Sequence, residues 1–322
     1  MRSGFFTYCI FLVMRSKAQN VPKDFIGQLK VNCVGFGQDS SPAQLPLPKF
    51  TTIMLRIIAF SFIVFCFYAC SPNNVNVDES LGKYFKENNV DGCFALFNNG
   101  NGKFTVYNLD RYKDSAYLPA STFKIVNSLI GLQTGVLTNT QTLIKWDGVI
   151  RSVPEWNKDL TMSEAFKTSA VPYYQEVARR IGKDTMQLWL DSLHYGSAKI
   201  KTRIDTFWLD NSLKITPDEE LGLVKRLYFG QLPFYGSYQD TVKRLMLFED
   251  KPAYQLSYKT GWGQRENGNQ LGWVVGWIEE NRHPYFFVLN LESKDKNLDM
   301  PTVRMKILKG ILGQLGFMQG KK

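Results

Sequence analysis

Histidine and cysteine are both scarce in this 322-residue chain, which has two of the first and five of the second. His194 and His283 stand alone, without the spaced Cys or His partners that metal sites use, so each reads as structural and no metal is expected. Cys9, Cys33, Cys66 and Cys70 all precede residue 71, leaving Cys93 as the one cysteine beyond it. An internal disulfide is therefore not expected, and Cys93, inside the apolar run Cys93–Phe97, reads as a buried thiol. Runs of like charge are missing too. Lysine and arginine total 39 against 29 acidic residues, a formal +10, but residues 1 to 69 carry seven basic residues and two acidic ones, half of that excess. The remainder has no basic tract, which argues against nucleic acid as a partner. The longest apolar run, Ile57 to Ala69, falls short of the roughly 20 residues of a membrane-spanning helix. What is abundant is core material: 44% hydrophobic and 14% aromatic residues exclude a disordered chain and imply a sizeable globular fold.

The N-terminal pattern is that of an export signal. Met54-Leu55-Arg56, the uncharged run to Ala69, and then Cys70 give a basic start, an apolar centre and a small residue at the junction. Ala69-Cys70 also resembles the lipobox of bacterial lipoproteins, with Phe67 where that motif usually has Leu. Residues 1–53 then read as an extension ahead of a start at Met54. Residues 54–69 read as the signal peptide, and 70–78 as a tether that a lipidated Cys70 would fix to a membrane surface. A plain signal cut near Ala69 is the alternative.

Beyond residue 79 the pattern changes twice. Residues 90–109 read as two strands around the turn Asn98–Gly102. Thr122–Leu137 is apolar at helical spacing, Met162–Leu193 is helical with a break at Gly182, and Thr216–Glu220 opens another helix with a capping signal. Residues 254–260, 271–279 and 285–291 are strand-like, and 302–315 is an amphipathic helix. The fold class is therefore α+β. An antiparallel sheet built from 79–118 and 251–322 is flanked by helices, with an all-α subdomain inserted over about 119–250. The groove between the two parts is the expected place for a site.

Two short motifs carry chemistry. Ser121-Thr122-Phe123-Lys124 places a hydroxyl and an amine on one helical face, with the backbone N–H groups of a helix start beside them. By itself the pattern also fits a helix cap with an exposed lysine. Lys259-Thr260-Gly261, at the end of a strand and ahead of Trp262, is the rarer signal. On an edge strand its cation and hydroxyl suit a substrate carboxylate, and the N–H groups of Trp262 and Ser121 can form an oxyanion hole.

With these motifs in order, the region 79–322 resembles the penicillin-recognising serine enzymes, and among them the class D β-lactamases. Ser169-Ala170-Val171 is similar to that class's Ser-x-Val, Phe207-Trp208-Leu209 to its Phe-Trp-Leu, and Trp273–Gly276 to its Trp-x-x-Gly. Tyr195-Gly196-Ser197 departs from Tyr-Gly-Asn at Ser197. The resemblance implies hydrolysis of β-lactams through an acyl-enzyme on Ser121, in the periplasm. It implies carbon dioxide or bicarbonate to carboxylate Lys124 as general base, with no other cofactor. Ser169 would relay a proton to the lactam nitrogen with Lys259 supporting it electrostatically, Thr260, Gly261 and Arg304 would line the site for the substrate carboxylate, and Trp208 would hold the carboxylated lysine. Val171 and Leu209 would control water. Three rivals remain: a penicillin sensor that acylates without turnover, a peptidoglycan transpeptidase or carboxypeptidase, and, given the departure at Ser197, a catalytically dead lipoprotein that only binds cell-wall ligands.

Overall fold

Three nearly unbroken apolar runs, 91–98, 270–280 and 283–293, owe their composition to a sheet that is covered on both faces. The computed structural model describes residues 74–322; the extension, the signal segment and Cys70 lie outside the described residues. The chain runs through β1 (Val75–Val77), α1 (Gly82–Lys86), β2 (Asp91–Asn98), β3 (Lys103–Tyr107) and α2 (Leu109–Asp114). A 3-10 turn, Ala120–Phe123, leads straight into α3 (Lys124–Gln133), followed by the short pair β4 (Leu143–Ile144) and β5 (Leu160–Thr161). Then come α4 (Met162–Lys167), α5 (Val171–Ile181), α6 (Lys183–Leu193), α7 (Pro217–Tyr228) and α8 (Gly236–Met246). The chain closes with β6 (Leu247–Asp250), β7 (Gln255–Gln264), β8 (Gln270–Glu280), β9 (His283–Ser293) and α9 (Met300–Gln314).

The seven-stranded sheet has the order β1-β3-β2-β9-β8-β7-β6. Early and late segments meet at its centre, where β2 pairs antiparallel with β9, Phe94 opposite Leu289. Side chains alternate between faces along each strand. Phe94, Val274, Ile278, Phe287 and Leu289 pack with Phe85 of α1 and with Ile307, Leu308 and Ile311 of α9. On the other face Cys93, Ala95, Trp273, Val275 and Val288 join a larger core with Phe123, Ile130, Tyr174 and Leu227 of the helical part. The expected α+β architecture, a sheet flanked by helices, is the one observed.

Three details differ from the sequence reading. The insert read as all-α over about 119–250 also carries strands, the pair β4–β5 and the sheet-edge strand β6. Val75–Val77, inside the segment read as a tether, is an edge strand, and it pairs with β3 in parallel. Its alternating β-branched residues suit a strand, but three residues are too few to show a period. Helix boundaries also move: the helix expected from Thr122 starts at Lys124, because the residues before it wind as a 3-10 turn. The capping box of α7 forms as expected, with Thr216 and Glu219 bonding each other's backbone N–H groups.

Candidate active site

The 3-10 turn decides the first pairing. Its three residues per turn bring positions i and i+3 into eclipse, and Lys124 Nζ lies 2.7 Å from Ser121 Oγ. Ala120, just before, takes φ 50, and its N–H is held by the Trp208 carbonyl at 3.0 Å. Lys124 is 0% exposed, in a wall that includes the Tyr174 ring, whose centroid is 5.5 Å from Nζ. Burial pushes its ammonium down from 10.5 to about 7, because an ion loses its hydration there.

A second lysine repeats the arrangement. Lys259 Nζ lies 2.9 Å from Ser169 Oγ and 3.1 Å from the Thr260 carbonyl. Ser169 sits between α4 and α5 with φ 57, a left-handed backbone that aims its hydroxyl across to β7. Burial first, then the positive charges of Lys124 and Arg304, hold the Lys259 ammonium well below its usual value. The sequence reading placed this lysine on an edge strand. In fact β6 covers β7, but its pairing runs only from Gln255 to Ser257, so β7 has that strand beside it nowhere past Ser257.

The same stretch of β7 lies tight against the Ser121 turn. A Cβ on Gly261 would come within 3.0 Å of the Pro119 carbonyl and of Trp273 Cδ1, and 3.2 Å of Thr122 Cγ2. Glycine leaves room for this close approach, which any side chain would crowd. Arg304, on α9, reaches the Gly261 carbonyl at 2.7 Å through Nη1, while its Nε is buried without a partner; burial lowers its guanidinium to about 10. Thr260 is half-buried. The Trp262 side chain points outward, 53% exposed, and donates to Gln270 at 2.8 Å.

Trp208 stacks on Phe123 with ring centroids 5.2 Å apart, and its indole N–H is buried with no acceptor. Leu209 follows it, half-buried, and Val171 opens α5 two residues after Ser169. Ser197, where the sequence departs from the class D pattern, exchanges bonds with Lys214: its N–H donates to the Lys214 carbonyl at 2.8 Å, and its Oγ accepts the Lys214 N–H at 3.2 Å. Trp273 packs in the core and donates to the Leu118 carbonyl at 3.0 Å, fixing the chain just ahead of Ser121.

Sequence reasoning missed Tyr174, Phe166 (its ring centroid 5.5 Å from Lys259 Nζ) and Glu220. Glu220 is fully buried, with its Oε1 2.5 Å from Thr122 Oγ1 and 3.0 Å from the Tyr195 hydroxyl. The one available signal was its place on the apolar stripe of α7 with Pro217, Leu221 and Val224. Among the described residues no group of three or more His, Cys, Asp or Glu side chains is placed to hold a metal, and no helix is long and apolar enough to cross a membrane.

Such an arrangement can activate a serine hydroxyl for acyl transfer without histidine, since a lysine that sheds its charge is a base. Comparison with known proteins agrees. Residues 86–313 match the penicillin binding protein transpeptidase domain. The β-lactamase OXA-5 of Pseudomonas aeruginosa is 35% identical over 264 residues, 81% of this chain and 98% of that one. Among solved structures, FUS-1 (OXA-85), a class D β-lactamase of Fusobacterium nucleatum, superposes with a TM-score of 0.72 at 35% identity, covering 76% of this chain and all of that one. The C-terminal domain of the Bacillus licheniformis BlaR penicillin-receptor gives 0.71 at 30% identity, over 76% of this chain and 98% of that one. The chain belongs to the penicillin-binding transpeptidase family and, within it, to the class D serine β-lactamases.

Proposed function

We propose that this protein hydrolyses β-lactams through an acyl-enzyme on Ser121. The observation that carries the reading is the 2.7 Å approach of Ser121 Oγ to the nitrogen of a buried lysine depressed to about 7. Near neutrality a large share of such a lysine is uncharged and able to accept the hydroxyl proton as Oγ attacks the lactam carbonyl. The Ser121 and Trp262 N–H groups bind the resulting oxyanion. When the C–N bond breaks, the proton that Lys124 took from Ser121 passes through Ser169 to the nitrogen, with Lys259 Nζ, 2.9 Å from the Ser169 hydroxyl, supporting the relay electrostatically. Arg304 and Thr260 bind the substrate carboxylate, and Val171 and Leu209 govern the access of water to the ester.

The residues fit a carboxylated Lys124. Neutral Nζ can add carbon dioxide, which supplies a carboxylate base for both acylation and deacylation. Lys124 is fully buried, and the Trp208 indole N–H is a buried donor that lacks an acceptor; an unpaired donor of that kind costs roughly 1–3 kcal/mol. The test is turnover of a chromogenic cephalosporin by the purified protein, with and without bicarbonate. Turnover that rises with bicarbonate and vanishes in Lys124→Ala is the expected result. A single stoichiometric burst that bicarbonate does not prolong would instead assign the protein to the receptor type, the second reading that the BlaR likeness favours.

Export to the periplasm and a lipid anchor on Cys70 belong to the same proposal, supported by the Arg56 to Cys70 pattern. Fatty-acid labelling of expressing cells that persists in Cys70→Ser would refute the anchor.

A further inference from the structure

Among the described residues four acidic side chains are buried, and three have evident partners. Asp205 meets Arg179 and Arg203, Glu292 meets Arg111 and Arg265, and Glu280 accepts from the backbone of Met318, Lys321 and Lys322. Glu220 meets no cation among the described residues. Its Oε1 lies 2.5 Å from Thr122 Oγ1 and 3.0 Å from the Tyr195 hydroxyl, and its Oε2 is buried without a partner.

Counting protons limits how these contacts can be made. Thr122 Oγ1 is also 2.8 Å from the Pro119 carbonyl, which can only accept. The threonine has one hydroxyl proton for two acceptors. If that proton goes to Pro119, the 2.5 Å contact needs a proton of its own, and the one group able to carry it is the Glu220 carboxyl. With that proton on Glu220, the contacts form a directed chain in which Tyr195 donates to Glu220, Glu220 to Thr122, and Thr122 to Pro119. It ends on the carbonyl two residues ahead of Ser121, the same carbonyl that faces Gly261 of β7.

We propose that Glu220 is a neutral carboxylic acid whose proton fixes the Ser121 turn, that it acts as a positioning residue for acylation, and that its ionisation releases the turn. Once the proton is lost, the Thr122 hydroxyl must swing to the carboxylate, and Pro119 loses that bond. The surroundings favour the neutral form. Tyr195 and Glu219 are the titratable groups that act on Glu220, and burial pushes its carboxyl up to about 7. Of the elements packed on α7, α2 brings Tyr112 and Lys113, both engaged with Asp218. At the far end of α7, β8 brings Glu279 to Tyr228, β9 packs Phe286 on the Tyr228 ring, and α8 places Lys243 on the Tyr228 carbonyl.

This inference rests on Ser121 as the acylated residue and is independent of turnover, so the assay reads acylation by a fluorescent penicillin. In Glu220→Gln an amide N–H replaces the acid as donor to Thr122 and cannot titrate. At pH 6 Glu220→Gln should acylate within about threefold of the parent and Glu220→Ala at least tenfold more slowly. The ratio of Glu220→Gln to parent should climb to tenfold or more by pH 8.5; taking the ratio cancels the titration of Lys124. Equilibrium unfolding needs no β-lactam. A folded-state pKa raised from 4.5 to about 7 gives stability that is complete below the unfolded value and lost as pH rises through the folded one. Relative to Glu220→Gln, the parent's unfolding constant should therefore rise by roughly two orders of magnitude between pH 5 and 8. A stability difference that stays flat over that range overturns the proposal, whether or not penicillin reacts. So does a flat acylation ratio.

Discussion

Ser169 presents its hydroxyl to Lys259, 2.9 Å away, from a backbone at φ 57. A side chain other than glycine is strained in that left-handed region by about 1–2 kcal/mol. The conformation persists because it spans from the α4–α5 link to β7.

Strain and chemistry at this residue can be separated. Ser169→Ala and Ser169→Gly both delete the proton carrier, and each should slow cephalosporin turnover by about a hundredfold. Only glycine relieves the backbone, so Ser169→Gly should be the more stable of the two by about 1 kcal/mol in denaturant melts. Parent-like turnover in either variant would remove Ser169 from the reaction.

Close approach at Gly261 gives a second prediction. Gly261→Ala puts a methyl within 3.0 Å of the Pro119 carbonyl, which cannot move without shifting the Ser121 turn. Destabilisation of about 1–3 kcal/mol is expected, with kcat falling more than KM rises. A variant with unchanged kcat would show that β7 and the turn are not rigidly matched.

The third concerns Lys124 and acidity. Its folded-state pKa is depressed from 10.5 to about 7, so its contribution to stability is complete above the unfolded value and lost as pH falls through the folded one. In buffers freed of carbon dioxide, the parent should lose about 4 kcal/mol between pH 10.5 and 7 compared with Lys124→Met, which has no such charge to bury. Parallel stability curves for the two proteins would mean that Lys124 is hydrated in the folded state.

How far the sequence discloses this site depends on the distance between partners along the chain. Ser121 and Lys124 are three residues apart, and Lys259-Thr260-Gly261 is a contiguous strand end, so local pattern suffices for both. The Ser169–Lys259 contact spans 90 residues, and no periodicity reports it; resemblance to a family supplied Ser169. Glu220 is the instructive failure. It sits in an acidic run that reads as an exposed helix start, Asp218-Glu219-Glu220, yet the turn of the helix puts Glu219 in solvent and Glu220 in the core. What fills the space opposite a helix face is decided by tertiary packing, as with the short strand Val75–Val77, which exists only because β3 offers it an edge.

Pairing of β2 with β9 has a consequence for the birth of the protein. Ser121 emerges early from a ribosome, but the sheet that backs it stays incomplete until residue 293 has emerged, and Arg304 follows later still. A partly synthesised chain, or one trimmed of its last helix, therefore holds its nucleophile in an unassembled setting. Covalent capture of a labelled penicillin thus becomes a timer for the completion of the fold.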